Sequence, residues 1–129
     1  MDPFAHSDVD ATAAVLAARA SEAARELYER ASGQADAVGI EDLAELRDVL
    51  GSLKLVVENL TGYLPELSQW LERQLWAGTL GDTTDVSFDE LTRSAFEVAS
   101  ALARARRISA QLGRELRAAQ LASGDLWAQ

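Results

Sequence analysis

Few side chains in this sequence could do chemistry. Its one histidine is His6, in the stretch Met1-Asp2-Pro3-Phe4-Ala5-His6-Ser7-Asp8, and cysteine is absent. A nucleophile triad, a tetrahedral zinc site and a histidine base held by a carboxylate all draw on His or Cys partners that this chain lacks. Carboxylates remain, since bundle di-metal sites use inward-facing acids with Glu-x-x-His pairs. Asp82-Thr83-Thr84-Asp85 offers oxygens to a hard cation. It lacks the further ligands and the terminal bidentate Glu of a calcium loop, and reads as a turn leading into Ser87. Asn59-Leu60-Thr61 has the pattern of a glycosylation acceptor but falls in a segment of helical periodicity. No glycine-rich phosphate loop is present. The expectation is a non-enzyme with no catalytic residue, no metal, no cofactor and no small-molecule ligand.

The elements that would position any site are easier to read. One heptad ladder runs Leu43, Leu46, Leu50, Leu53, Val57, Leu60, Leu64, Leu67, Leu71. A second runs Phe88, Leu91, Ala95, Val98, Leu102, Ala105, Ser109, Leu112, Leu116, Ala119. Steps of three and four residues place such positions on one stripe of a helix, and a sustained seven-residue repeat calls for a partner wound alongside in coiled-coil fashion. Both ladders are aliphatic at their inward positions apart from Ser109 and, at the end of the first, Gln74, so no carboxylate is expected in the core.

The second helix is expected over 41–77, with Glu41, Asp42 and Glu45 loading its first turn and Gly78 as a left-handed cap followed by apolar Leu80. Pro65 removes a hydrogen bond at that position and opposes an uninterrupted helix. The ladder nevertheless passes from Leu60 through Leu64 to Leu67 without losing phase, which predicts a kinked but continuous helix. The third helix, over 88–122, opens on the capping box Ser87-Phe88-Asp89-Glu90 with Val86 and Leu91 as staple, and Ser123-Gly124 is its expected stop before a tail over 123–129. A first helix is expected over 8–31, capped by Ser7 and stopped by Ser32-Gly33, with the stripe Val9, Ala13, Leu16, Ala20, Ala23, Leu27, Ala31. The fold expected is all-α: a single antiparallel three-helix bundle built around a long helical hairpin.

Net charge is −9, which disfavours sequence-independent binding to nucleic acid or anionic lipid. Residues 1–60 carry 12 acidic and 5 basic side chains, while Arg104, Arg106, Arg107, Arg114 and Arg117 stand against Glu115 alone. In an antiparallel hairpin that basic island lies beside Glu41, Asp42, Glu45, Asp48 and Glu58, which predicts an internal or rim salt-bridge network. The N-terminus is acidic and has no apolar core segment, so neither a leader peptide nor a transit peptide is expected. No apolar run approaches a membrane span, and a cytoplasmic location is expected.

Apolar residues outside the ladders are left over. Val49, Val56, Tyr63 and Trp70 form a stripe beside the first ladder, which the first helix could fill. Leu55 and Trp76 face away from the expected seam, as does Phe96 on the third helix, and Trp127 stands in the tail. Large apolar groups outside a core mark interfaces. Leu55, Trp76, Phe96 and Trp127 are therefore the candidate interface residues.

Trp76-Ala77-Gly78 at the junction of two long amphipathic helices resembles the signature of the WxG family of helical hairpins exported by type VII secretion. Small size, acidic charge and Ala-rich helices are similar too, over residues 41–122. The resemblance implies a dimer of hairpins exported as a unit, with Trp76 at the hairpin tip. Three features depart from that pattern: the preceding helix, the eight residues between Gly78 and Ser87, and the lack of a tyrosine-containing export motif after the last helix. The chain is similar more generally to Ala- and Leu-rich helical proteins of actinobacteria, which implies nothing about mechanism. The function expected is a helical interaction module that self-associates or docks on a protein partner. The alternatives are a WxG-like effector and an acidic mimic that inhibits a nucleic-acid-binding protein.

Overall fold

A computed structural model describes residues 11–32, 40–79 and 87–127. Three helices account for nearly all of them: α1, Ala13–Ser32; α2, Leu43–Ala77; and α3, Phe88–Trp127. The architecture is all-α, with no strand among the described residues. The chain divides into two compact units, 1–42 and 43–129.

In the first unit, α1 starts later than its stripe suggests. The helix is capped by Thr12, whose Oγ1 accepts the Val15 N–H at 3.2 Å and whose carbonyl accepts the Leu16 N–H at 3.0 Å. The expected cap Ser7 lies outside the described residues. Arg25 donates to Glu22 and, at 2.7 Å, to Glu29, one turn away on either side. Those bonds, the Glu22 one foremost, hold its guanidinium pKa above the ordinary value. No residue of α1 is buried; Leu16 and Leu27, expected in a core, are each about half exposed. An Ala-rich helix with two large apolar residues on its stripe offers little surface to bury.

In the second unit, α2 and α3 pack along their lengths as an antiparallel hairpin. Thr61 meets Ser109 and Gly113 lies against Val57, while at the other end Trp76 meets Phe88. Rising residue numbers on one helix thus pair with falling numbers on the other. α2 runs unbroken through Pro65, as the phase of its ladder requires. It ends in a Schellman turn: Gly78 has φ 71°, its N–H reaches the Leu75 carbonyl at 3.2 Å, and the Thr79 N–H reaches the Gln74 carbonyl at 3.1 Å. The expected follower Leu80 and the staple residue Val86 lie outside the described residues. The start of α3 is capped as expected, with the Glu90 N–H donating to Ser87 Oγ at 3.2 Å.

Two expectations need correction. First, α3 does not stop at Ser123-Gly124 but continues to Trp127. Ser123 is packed into the seam and donates from Oγ to the Gln120 carbonyl at 2.6 Å, and Gly124 does not adopt a left-handed conformation. A serine bonded back to its own helix caps nothing, so the helix proceeds.

Second, the seam is offset from the ladders by one position in alternate turns. Val57, Leu64, Leu75 and Ala95 are the buried apolar residues, and Ser109 and Ser123 are buried with them. Thr61 and Ser68 fill the turns where Leu60 and Leu67 were expected; Ala99 and Gly113 replace Val98 and Leu112. Small side chains and paired hydroxyls let two backbones come closer than facing leucines would, and the large residues beside them are rotated onto the flank.

Candidate interaction surfaces

The rotation of the seam builds one long apolar face. On α2 the exposed flank is Val56, Leu60, Tyr63, Leu67 and Trp70, and its spacing of four and three continues back to Leu53 and Val49. On α3 a ladder of the same spacing runs Val98, Ala101, Ala105, Ile108, Leu112, Glu115, Ala119, Ala122, Leu126. In each helix these residues precede the seam positions in the sequence, as Leu60 precedes Thr61 and Leu112 precedes Gly113. Because the helices are antiparallel, the same rotational offset carries both flanks to the same side of the hairpin. Val56 is 57% exposed, Trp70 52% and Ile108 69%. Glu115 is the one charged residue in the two ladders, and it accepts a bond from Gln111 Nε2 at 2.9 Å.

The α2 half of this face is the stripe legible in the sequence beside the first ladder. The α3 half was masked because Val98, Ala105, Leu112 and Ala119 read as seam residues. The available signal was the pairing of Ala101 and Ile108 with them.

The opposite side of the hairpin carries smaller grooves. At the end where α2 meets α3, Trp76 and Phe96, each 72% exposed, flank a groove of about 320 Å³ floored by Leu71, Leu75 and Ala95. Trp76 also leans on Phe88, with ring centroids 6.3 Å apart and planes tilted by 54°. Two candidate interface residues are thus brought together. Leu55 is exposed elsewhere, in a groove with Asp48, Gly51 and Gln120. Trp127 closes α3, and its side chain lies outside the described residues.

A third groove places Glu58 with Arg114 and Arg117 around the Thr61–Ser109 pair. The expected salt-bridge network does not form there. Glu58 pairs along its own helix with Lys54 at 3.8 Å, and Arg114 donates to Gln111 Oε1 at 2.6 Å. Among the described residues none of Arg104, Arg106, Arg107, Arg114 or Arg117 makes an ion pair. Neighbours one turn away on the same helix are reached with less loss of side-chain freedom than acids across the groove.

Among the described residues no three His, Asp or Glu side chains converge as metal ligands, and no helix is long and apolar enough to cross a membrane. His6 and the Asp82–Asp85 turn lie outside the described residues. Among the described residues of the second unit, fold and surface define a helical hairpin whose one flank carries exposed large apolar residues. No protein-family model, curated protein or solved structure matches the chain.

Proposed function

We propose that this chain is a non-enzymatic helical interaction module that works by association, with itself or with a protein partner, through the apolar face of its hairpin. The observation that supports this most is the exposure of Val56, Trp70 and Ile108 in ladders almost free of charge. A contiguous apolar patch beyond a few hundred Å² is rarely left to water by a monomer and is the usual mark of an association surface. The groove at Trp76 and Phe96 is a second, smaller contact on the opposite side. Cytoplasmic residence fits a chain held together by packing without disulfides.

Val56→Glu and Ile108→Glu test the reading, because each puts a charge on the face without touching the seam. Association, read by light scattering and by co-purification from an expressing host, should weaken by about 2 kcal/mol or more per site. The same association profile for wild type and both variants would overturn it.

A further inference from the structure

From the shape of the apolar face we infer that its occupant is a second copy of this chain, seated so that α2 of each hairpin lies over α3 of the other. This rests on the reading above and adds the partner and the geometry.

The face is divided by size. Its α2 side is built from large residues, and its α3 side carries alanines at 101, 105, 119 and 122 with Ile108, Leu112 and Glu115 between them. The register set by Val57 against Gly113 and Thr61 against Ser109 places Trp70 level with Ala101, Leu67 between Ala101 and Ala105, Tyr63 level with Ile108, Val56 with Glu115 and Val49 with Ala122. A two-fold axis running along the helices keeps those levels while exchanging sides. It therefore sets Trp70 and Leu67 of one copy over Ala101 and Ala105 of the other and Val49 over Ala122, large onto small at both ends of the face, with Tyr63 over Ile108 and Val56 over Glu115 in its middle. An interface made of the same patch on both subunits must be self-complementary in this way, and the result is a four-helix bundle whose neighbours are all antiparallel. A two-fold axis across the helices would instead lay α2 on α2 and Trp70 against large residues.

Area and length agree. The exposed parts of the large apolar residues amount to roughly 1,500–2,000 Å² over two copies, the size of a stable specific interface. The face extends from Leu46 to Gln74 and from Val98 to Leu126, roughly 42 Å, whereas the stripe of α1 from Ala13 to Ala31 spans roughly 27 Å, both at 1.5 Å per residue. A second hairpin matches the face end to end. Arg106, Arg114 and Arg117 line the grooves on the other side and stay clear of this contact.

The absence of cysteine permits a clean test in the full chain. Sedimentation equilibrium of the wild type should give the mass of two chains. Leu67→Cys and Ala105→Cys chains, mixed and oxidised, should yield at least about tenfold more cross-linked dimer than either alone or than Leu67→Cys mixed with Leu55→Cys, since a disulfide closes only between nearby Cα atoms. A single-chain mass up to about 100 µM, well above even the micromolar end of the range spanned by interfaces of this size, would overturn the inference, as would homotypic Leu67→Cys cross-links. Two forms of that failure are distinct. A monomer in which Val56→Glu lowers Tm has its face covered by another part of the same chain. A monomer that loses a co-purifying protein on Val56→Glu keeps the interaction-module reading and rejects the second copy.

Discussion

The hydroxyls of Thr61 and Ser109 meet at 2.6 Å across the seam of the hairpin, 48 residues apart in sequence. Each hydroxyl has one proton to give. Thr61 gives its proton to the Val57 carbonyl at 2.7 Å, so the Ser109 proton is the one available to join the helices, in preference to its own Arg106 carbonyl at 3.1 Å. This polar link favours the observed register, because sliding either helix by a turn would break it and leave each hydroxyl bonded only to its own helix, at the Val57 and Arg106 carbonyls.

A double-mutant cycle on Thr61→Ala and Ser109→Ala should therefore show coupling of about 0.5–1.5 kcal/mol in denaturant unfolding, the net worth of one hydrogen bond. Ser109→Val should cost more than Ser109→Ala, since it adds volume at a buried position and strands the Thr61 oxygen. Additive single effects in the cycle would show that the hydroxyl contact does not tie the helices together.

Pro65 lies inside an unbroken helix. Its ring nitrogen cannot donate to the Thr61 carbonyl one turn back, and that turn already carries the inter-helix hydroxyl link. Pro65→Ala should raise stability by about 1–3 kcal/mol, the interior cost of proline less what the surrounding packing has absorbed. An unchanged or lowered denaturation midpoint would mean that the proline fits its site without strain.

Gly62 within α2 and Gly78 just beyond its end should respond in opposite directions. A Cβ at Gly62 meets nothing within 4 Å, so Gly62→Ala should stabilise by about 0.5–1 kcal/mol through helix propensity alone. Gly78 holds φ 71° in the Schellman turn, and Gly78→Ala should destabilise by about 1 kcal/mol or more. Thermal melts of the two variants moving the same way would contradict the cap geometry.

How much of this was legible in the sequence follows from the size of the signals. Long runs of three- and four-residue spacing gave the all-α class and the two long helices. Glycine followed by a break in periodicity gave the Gly78 cap, and Ser87 with Glu90 gave the start of α3. The offset of the seam was not legible, because Leu60 and Thr61 sit about 100° apart on a helix, and hydrophobicity favours the leucine at the inner position. What decides it is a pairwise property: Thr61 finds Ser109, and Gly113 lets Val57 approach at the spot where Leu112 would not. The same limit hid the candidate surface. Val98 and Leu112 look like core until the seam turns to Ala99 and Gly113, and the ladder on α3 then appears beside Tyr63 and Trp70. The basic island was misread for a different reason, since counting charges cannot show that Lys54 takes Glu58 along its own helix.

Trp76 separates the two sides of the hairpin experimentally. Its indole touches Phe88 at a centroid distance of 6.3 Å yet stays 72% exposed, so it bridges the last turn of α2 to the first residue of α3 without entering a core. Trp76→Ala should lower stability by about 0.5–1.5 kcal/mol through the lost ring pair, and Trp76→Phe should recover much of that. If association runs through the face of Val56 and Ile108, neither change should alter the oligomeric mass, because Trp76 and Phe96 lie on the other side of the hairpin. Melting curves and light scattering on the same samples check both halves. Loss of association in Trp76→Ala with an unchanged melt would move the interface to the groove at Trp76 and Phe96.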